Sequence, residues 1–320
     1  MIWVDDRQAG AHGIARFSRE VVSRLPATVL RLPVRGSATS PLDCVRPGRL
    51  RPSSRDVVYV PGPNAGVARA VQLLTVHDLI HLQDGSRLKR LYYQRVVAPR
   101  ILRAGKVVTV SETSRAAISS WLGRHAGSVA IDVVGNGCSS AFTAAGEAEG
   151  FAMATLALVS NVKAHKNVEV VFAALAMCPE IGLVVVGPSP GAMRRLAVDA
   201  GVADRVQVRT DVSDDDLARL YRGVDALLMP SRQEGFGLPV LEAMSCGTPV
   251  VHWAHCRAVT EIAAGTGIAV DAATDAGEWA VAMEKATASP LPLDLPLSWS
   301  ARHDWDAVGE RVRRALDDLA

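Results

Sequence analysis

Two glutamates separated by seven residues could bind a polyhydroxylated ligand. Glu234 follows an apolar run, and Glu242 lies in a helix predicted to begin near Leu238. At a rise of about 1.5 Å per residue, Glu242 is about 6 Å along the helix axis from Leu238. Its carboxylate is suited to a ribose diol, and that of Glu234 to the hydroxyls of a sugar. On spacing alone, a strand–helix connection with two solvated glutamates is the simpler interpretation.

The loop between these glutamates could bind an anion. Gly235, Phe236 and Gly237 place backbone N–H groups at the start of the predicted helix, and Pro239 in its first turn has no N–H to leave unpaired. Unpaired N–H groups and the helix dipole both favour negative charge. The loop follows a strand-like run at 226–229, so a diphosphate here would lie at a strand end, where open α/β sheets bind ligands.

The full string EGFGLPVLEAMSCGTPVV resembles the E-x7-E region of retaining glycosyltransferases of family 4, which have the two-domain GT-B fold. The resemblance implies that Glu234 is a catalytic residue that contacts the donor sugar and that Glu242 binds the nucleotide ribose. It also implies donor contacts at Gly235, Phe236, Gly237 and Leu238. Because GT-B enzymes characteristically need no metal, we predict no metal site, and the run Asp214–Asp216 is interpreted as the first turn of a helix.

A cationic loop follows the strand predicted at 154–160. Its string NVKAHKN resembles the GNVKPHKN loop of the same family, and Lys166 matches the donor-phosphate lysine. A lysine there could neutralise a diphosphate leaving group, so Lys166 is a predicted catalytic residue. Ser160 replaces the usual glycine, and the arginine that many relatives carry earlier is absent. Lys163 is a predicted donor-binding residue, and whether it substitutes for that arginine stays open.

In the first half of the chain, the run QLLTVHDLIHL ends a buried strand at His77 and Asp78. An imidazole at the carboxyl end of a strand can donate a hydrogen bond to a phosphate or a sugar hydroxyl. His77 matches the family's His-Asp pair beside the donor, which implies a catalytic role. Asp78 is expected to orient His77 or to cap the following turn, and His81 is interpreted as a structural residue.

Two predicted helix starts contribute the remaining site residues. GIARFSREVV resembles the GIxRYxxEL segment of many family 4 enzymes, which implies that Gly13 binds the donor. Without the resemblance, a tight turn with packed glycines explains this segment equally well. VVTVSETSRAAISSWL predicts a strand and a helix capped at Ser111 or Thr113, and Ser111 matches a family residue at the donor. Ile14 and Asp78 are placed on the acceptor side or behind the contacting residues.

The composition is that of a folded protein without a disulfide framework. The length of 320 residues suits two domains, and 49% of the residues are apolar. The five cysteines are odd in number and lack a CxxC pair, which indicates reduced and mostly buried thiols. The first residues do not have the pattern of a signal peptide, and no apolar run is long enough to cross a bilayer. We therefore expect a cytoplasmic protein.

Charge is unevenly distributed along the chain. Residues 1–150 contain 20 Lys and Arg against 11 Asp and Glu, whereas the remainder contains 15 against 22. The segment 87–106 has seven basic residues and no acidic one. A solvated helical face is the usual meaning of such a run. Because relatives in the family often glycosylate lipid-linked acceptors, we favour peripheral contact with an anionic membrane surface, as one helix or as two interrupted at Pro99.

Strands alternate with helices in both halves, which predicts an α/β protein with two doubly wound, Rossmann-like domains and parallel sheets. We expect an acceptor-side domain at 1–142, a linker at 143–150 and a nucleotide-sugar-binding domain at 151–297. A last helix within 298–320 is expected to cross back onto the first domain, as in the family. The active site is expected in the cleft between the domains.

Together these features predict a retaining, metal-independent transferase that moves a hexose from a nucleotide-diphosphate sugar to a glycan, lipid-linked or small-molecule acceptor. GDP-mannose is the favoured donor, from the resemblance around GIARF and HKN, and UDP-linked hexoses stay open. No further cofactor and no nucleic-acid partner is expected. A nucleotide-sugar epimerase of the same fold and a catalytically silent nucleotide-binding protein remain as alternatives. A dehydrogenase is disfavoured because no G-x-G-x-x-G follows the first strand.

Overall fold

A computed structural model describes residues 1–8, 10, 13–36, 41–83, 87–289, 293, 295 and 297–320. The chain divides into two compact units. The first unit contains Met1–Gly137 and Ser298–Ala320, and the second contains Cys138–Leu297. Both units are built on parallel strands connected through helices.

The secondary structure of the described residues alternates between short strands and helices. The strands are β1 (Ile2–Val4), β2 (Leu30–Arg31), β3 (Val57–Val60), β4 (Val71–Leu74), β5 (Lys106–Thr109), β6 (Ala130–Val133), β7 (Ala154–Val159), β8 (Ile181–Val186), β9 (Val206–Arg209), β10 (Ala226–Met229), β11 (Val250–Trp253) and β12 (Ile268–Val270). The helices are α1 (Gly13–Ser23), α2 (Ile80–Gln83), α3 (Arg87–Tyr92), α4 (Ala98–Ala104), α5 (Glu112–Leu122), α6 (Glu169–Leu175), α7 (Pro190–Asp199), α8 (Asp214–Gly223), α9 (Leu238–Ser245), α10 (Arg257–Ala263), α11 (Ala276–Ala288), α12 (Leu297–Arg302) and α13 (Trp305–Asp317).

The first unit has a parallel sheet in the order β2-β1-β3-β4. A parallel bridge between Thr75 and Val108 connects this sheet to the β5-β6 pair. Helix α13, from the end of the sequence, contacts α1 and β5. An ion pair of 2.7 Å between Arg24 and Asp306 joins the two helices, and the ring of Trp305 lies edge-on to Phe17. The first unit is therefore assembled from both ends of the chain.

The second unit has a six-stranded parallel sheet in the order β12-β11-β10-β7-β8-β9. Strands β8 and β10 are buried along their whole length, as central strands of parallel sheets usually are. From β7 the chain builds outward through β8 and β9, and it then returns to place β10 on the other side of β7. The strand order therefore reverses between β7 and β10, and such reversals are where open α/β sheets bind ligands.

Alternating strands and helices correctly predicted an α/β fold with parallel sheets. Residues 143–150, expected to form a linker, contact the second unit. Arg222 donates hydrogen bonds to the carbonyl oxygens of Thr143 (3.0 Å) and Glu147 (2.7 Å). Glu149 forms a bidentate ion pair with Arg209. These contacts lie within the second unit, which contains Cys138–Leu297.

The basic segment forms one continuous helical run. A π-helical turn at Tyr93–Val97 connects α3 to α4, and the N–H of Ala98 donates to the carbonyl oxygen of Tyr93. Pro99 cannot donate to the preceding turn, and the wider π turn accommodates it without ending the helix. Lys106 lies in β5 and pairs with Asp132 and Asp318, so it does not belong to the helical face. Among the described residues, no helix has the length and apolar character needed to span a membrane.

Candidate functional site

The loops after β7 and β10 lie side by side where the strand order reverses. The first loop carries Lys163 and Lys166, and the second carries Glu234. The Nζ atom of Lys166 lies 2.7 Å from Oε1 of Glu234, and the two side chains are 18% and 11% exposed. Because β7 and β10 are neighbours in the sheet, residues that are 68 positions apart in sequence form one ion pair.

The start of α9 has the predicted form. Gly237 has a φ of +107°, a left-handed conformation that favours glycine, and the helix begins at Leu238. In the first turn, Pro239 has no N–H and the Val240 amide donates to the Gly237 carbonyl at 3.0 Å. Among the described residues, none accepts a hydrogen bond from the Leu238 amide. This amide is thus available to an anion at the end of the helix.

Gly235 and Phe236, which precede Gly237, take part in interactions within the protein, and the Phe236 side chain is buried. The Leu238 amide and the dipole of α9 are placed to favour an anion, with Lys166 as the neighbouring cation.

Glu242 lies in the middle of α9, and its side chain is buried. The hydroxyl of Tyr221, in α8, donates a hydrogen bond of 3.4 Å to Oε2 of Glu242. Burial raises the pKa of Tyr221 well above its usual range, and the charge of Glu242 raises it further, so the phenol stays protonated. Tyr221 therefore orients the carboxylate that was predicted to bind a ribose.

Cys256, which the sequence analysis did not single out, contacts the Glu234 loop. All five cysteines are free thiols, and Cys178, Cys246 and Cys256 are buried as predicted. Burial raises the pKa of the Cys256 thiol to about 12, and the charge of Glu234 acts in the same direction. The sulfur accepts hydrogen bonds from the backbone N–H groups of Val259 and Glu234. The start of α10 thereby supports the backbone at Glu234.

Asn167 and Arg232 also lie at this site without having been predicted. Asn167 directly follows a 3₁₀ helix at Ala164–Lys166, and its side-chain amide donates to the carbonyl oxygen of Ala273 at 2.7 Å. Arg232 donates to the side-chain oxygen of Asn167 at 3.0 Å. The only sequence signal was an asparagine after a short helical turn, a position that often takes the left-handed conformation.

Two residues of the loop after β7, Lys163 and Ser160, bear on the predicted departures from the family pattern, the missing arginine and the replaced glycine. Lys163 is exposed, and its backbone N–H donates to the Asn161 side chain at 3.1 Å. The Lys163 side chain thus lies in solvent, whereas Lys166 forms the ion pair with Glu234. Ser160, in place of the family's glycine, closely approaches the neighbouring strand. A Cβ atom at Gly187 would lie only 1.9 Å from the Ser160 carbonyl oxygen, so a glycine is required there.

In the first unit, His77 is held by polar and aromatic contacts. Its Nε2 lies 3.1 Å from the Pro61 carbonyl oxygen, and its ring is edge-on to Phe17 with the ring centres 4.8 Å apart. A carbonyl oxygen can only accept, so Nε2 carries a proton and is engaged within the protein. Gly13 and Ile14 are the first residues of α1, the helix that carries Phe17.

The other predicted residues of the first unit lie close to His77 in sequence or in space. The Ser111 hydroxyl accepts from the Ser114 amide at 3.0 Å and caps α5, which decides between the two predicted caps. The Ser114 hydroxyl in turn donates to the His77 carbonyl oxygen at 2.7 Å. Ser111 and His77 are thus connected through one residue.

Asp78 caps the turn after His77, one of its two predicted roles. Its Oδ1 accepts from the Ile80 amide at 3.0 Å and lies 3.6 Å from Nδ1 of His81. Burial alone would raise the pKa of Asp78, but hydrogen bonds from His81 and Ile80, and the charges of His81 and His77, hold it below its usual value. Asp78 is therefore an anion that the turn stabilises.

No group of three or more His, Cys, Asp or Glu side chains among the described residues could hold a metal ion. The three aspartates Asp214–Asp216 form the first turn of α8, as predicted. Ser213 caps this helix by accepting a hydrogen bond from the Asp216 amide at 3.1 Å. Their position complements the positive end of the helix dipole.

Comparisons with known proteins agree with this architecture. Residues 152–318 match the family described as "Glycosyl transferases group 1". A D-inositol 3-phosphate glycosyltransferase of Mycolicibacterium vanbaalenii is 31% identical over 185 residues, and the match covers 51% of this chain and 41% of that protein. The corresponding protein of Mycolicibacterium smegmatis is 31% identical over 176 residues, with the same coverage. The chain thus spans about two fifths of the length of these relatives.

Solved structures resemble the whole chain. The Anabaena protein HepE, solved with UDP and glucose, has a TM-score of 0.71 at 18% identity, and the match covers 99% of each chain. WaaG, a glycosyltransferase involved in lipopolysaccharide biosynthesis, has a TM-score of 0.64 at 17% identity and covers 100% of this chain and 99% of its own. At these identities the likeness establishes a shared fold.

Proposed function

The chain belongs to the group 1 glycosyl transferases and has the GT-B fold, and we propose that it transfers a hexose from a nucleotide-diphosphate sugar to an acceptor hydroxyl. The ion pair between Lys166 and Glu234 carries this proposal. It places a cation and a carboxylate together beside the start of α9, where the strand order reverses. A donor with an anionic diphosphate and a hydroxylated sugar needs both kinds of group in one site.

Lys166 stabilises the leaving group. When the anomeric C–O bond breaks, its electron pair stays with the diphosphate, while positive charge develops on the sugar. Lys166 and the Leu238 amide at the end of α9 are placed to neutralise this negative charge, and such interactions strengthen as the charge develops. The new bond forms between the anomeric carbon and the acceptor oxygen, whose proton is released. With Lys166 and the helix end in this role, the reaction needs no metal ion.

The carboxylates bind the neutral parts of the donor. Glu234 accepts hydrogen bonds from sugar hydroxyls, and Glu242, oriented by Tyr221, accepts from the ribose. On the second unit, the proposed donor contacts also include Gly235, Phe236, Gly237 and Lys163. His77, Gly13 and Ser111 are proposed donor contacts of the first unit, with Ile14 and Asp78 behind them or towards the acceptor. We also propose that the chain is a member of family 4 and that it retains the anomeric configuration of the transferred sugar.

The donor is proposed to be GDP-mannose, and UDP-glucose is the comparison that HepE suggests. Thermal shifts with GDP, UDP and ADP test binding without knowledge of the acceptor. We expect the nucleoside diphosphate that binds most tightly to raise the melting temperature most at equal concentration, and we expect this to be GDP. If none raises it, the site assignment is wrong.

Turnover is tested by NMR of each nucleotide sugar with and without a panel of glycan, lipid-linked and small-molecule acceptors. A new glycosidic signal with the donor's own anomeric configuration, unaffected by a chelator, is the expected result. An altered sugar in donor incubated alone would identify an epimerase instead. Absence of turnover with all donors would leave a nucleotide-binding protein.

The helical run from Arg87 to Ala104 supports a proposed contact with an anionic membrane, where a lipid-linked acceptor would lie. Leu88 and Leu91 are 77% and 48% exposed and lie one helical turn apart. Exposed cationic side chains surround them, at Arg87, Lys89, Arg90 and Arg95. Apolar side chains among cations suit an interface with anionic lipid.

Sedimentation with vesicles tests this contact. We expect binding to vesicles that contain an anionic phospholipid, weaker binding at higher salt, and loss of binding when Leu88 and Leu91 are both replaced by serine. Neutral vesicles serve as the control. A protein that stays in the supernatant with anionic vesicles, at low salt as well as high, contradicts the proposal and leaves a soluble acceptor.

A further inference from the structure

Asn167 connects three segments around the Lys166–Glu234 pair. It is buried and has a φ of +54°, which asparagine tolerates better than most residues. Its Nδ2 donates to the carbonyl oxygens of Ala273 (2.7 Å) and Pro230 (3.3 Å). Its Oδ1 accepts from Arg232 at 3.0 Å. Two carbonyl acceptors and one guanidinium donor fix the orientation of this amide.

Arg232 provides a second connection between the two loops. Its backbone N–H donates to the His165 carbonyl oxygen at 2.7 Å, next to Lys166. Its side chain reaches Asn167, on the other side of Lys166. Lys166 therefore lies between His165 and Asn167, both of which accept hydrogen bonds from Arg232. Glu234 follows Arg232 by two positions.

The ion pair between Lys166 and Glu234 is too weak to fix the positions of its own two side chains. Lys and Glu side chains each lose rotamer freedom when they are fixed, and a partly exposed pair contributes only about 0–1 kcal/mol. The backbones of the two loops must therefore be held by other bonds if the amine and the carboxylate are to meet reproducibly. The hydrogen bonds from Asn167 to the Pro230 carbonyl oxygen and from the Arg232 N–H to the His165 carbonyl oxygen join these backbones.

We propose that Asn167 and Arg232 are positioning residues that hold Lys166 and Glu234 in register before the donor binds. The expected effect on catalysis rests on the proposed function, whereas the expected effect on the positions of the two side chains does not. Groups displaced by about 1 Å can lose about a hundredfold in rate, so a small change in the register of the loops is expected to affect turnover.

Substitutions of Arg232 test this role, because its side chain is exposed and its loss should leave the fold intact. Arg232→Met removes the donor to Asn167, whereas Arg232→Gln retains an N–H donor without the charge. Arg195→Met, at an exposed arginine of α7, is the matched control. Asn167→Gly, which keeps the left-handed backbone and removes the side chain, is the second variant.

Acylation of lysines by a small amine reagent, followed by peptide mass spectrometry, reports the register without any substrate. Lys166 should react slowly in the parent protein and several-fold faster in Arg232→Met and Asn167→Gly. Exposed Lys163 provides the internal reference, and its rate should not change. Arg232→Gln and Arg195→Met should resemble the parent. An unchanged Lys166 rate in Arg232→Met, with the melting temperature retained, would overturn the proposal.

Kinetics complete the test once a donor is known. We expect kcat to fall about tenfold in Arg232→Met with a smaller change in the donor KM, and Arg232→Gln to recover most of it. Equal losses in Arg232→Met and Arg232→Gln would assign the effect to charge and overturn the positioning role. If no donor is turned over, the proposed function fails, while the labelling result still decides on the register.

Discussion

The Nζ atom of Lys166 lies 2.7 Å from Oε1 of Glu234, so the two charges neutralise each other. The two residues are the proposed contacts for adjoining parts of the donor, so binding has to replace this ion pair with bonds from Lys166 to the diphosphate and from the sugar to Glu234. The pair therefore competes with the ligand that it serves to bind. After transfer, the same competition would favour release of the nucleoside diphosphate.

Glu234→Gln should tighten the binding of the free nucleoside diphosphate while it slows transfer. Glutamine keeps the shape but cannot neutralise Lys166, so the amine becomes available to phosphate. We expect about a tenfold lower Kd by titration calorimetry, which corresponds to about 1.4 kcal/mol. Glu242→Gln, which leaves the Lys166 pair intact, should not tighten binding. An unchanged or weaker affinity in Glu234→Gln would show that the pair does not oppose the ligand.

Lys166→Met should lower kcat by about a hundredfold or more, because it removes the cation beside the leaving group. The donor KM should change less, since the charge on the diphosphate is largest in the transition state. Lys163→Met is the matched control within the same loop, and its smaller effect should fall on KM. Steady-state kinetics check both variants. Equal kcat values for the two variants would remove Lys166 from its catalytic role.

Glu242→Ala should mainly weaken donor binding, with a smaller change in kcat. Glu242 is buried and bonded to Tyr221, so its removal leaves the Tyr221 hydroxyl without this acceptor. Tyr221→Phe deletes one hydrogen bond of 3.4 Å and should cost only about 0.5–1.5 kcal/mol of stability. Denaturation of each variant, with and without nucleotide, separates the effects. The ribose assignment requires that nucleotide affinity fall more in Glu242→Ala than in Tyr221→Phe.

His303 should make the first unit less stable as the pH falls. Burial lowers the pKa of His303 to about 4, and the charges of Arg302 and Arg311 act in the same direction, against a hydrogen bond to the Trp299 carbonyl. An unfolded histidine titrates near 6.5, so below that pH the unfolded state takes up the proton first. Stability is therefore complete above pH 6.5 and is lost as the pH falls towards 4.

At pH 5 the loss should be about 2 kcal/mol relative to pH 7.5. His303→Gln does not titrate, so its stability should depend less on pH by about this amount. Hydrogen exchange of the α13 amides measures this for the first unit separately from the second. The same pH dependence in both proteins would mean that His303 is protonated in the folded state.

The start of α9 could be predicted near Leu238 because its determinants are local. The glycines before the helix and Pro239 in its first turn are readable from the sequence, and the structure adds that Gly237 takes the left-handed conformation. The ion pair between Lys166 and Glu234 could not be predicted in this way. It depends on β7 and β10 being neighbours in the sheet, and tertiary packing, not local sequence, decides strand order.

Asn167 shows a second limit of sequence reasoning. The sequence does not distinguish an asparagine whose side chain hydrogen-bonds to three segments from one on the surface. The acceptors of Asn167 are the backbone carbonyl oxygens of Pro230 and Ala273, and every residue has such an oxygen. Pro99 shows a third. It left one helix and two short helices open, and the structure has one continuous run with a π turn at Tyr93–Val97, whose residue Val97 is buried in the core. Packing in the folded protein, which local sequence does not specify, decides the structure at both residues.

The contribution of Ser298–Ala320 to the first unit affects the order in which the protein can be completed during synthesis. The second unit is one continuous stretch, and all of it leaves the ribosome before α13 does. The first unit has to wait for α13, whose Trp305 packs against Phe17 and whose Asp306 pairs with Arg24. Domains usually fold in the order of their synthesis. The first unit is therefore the last to acquire all of its contacts, and a nascent chain would expose the surface of α1 until α13 has been synthesised.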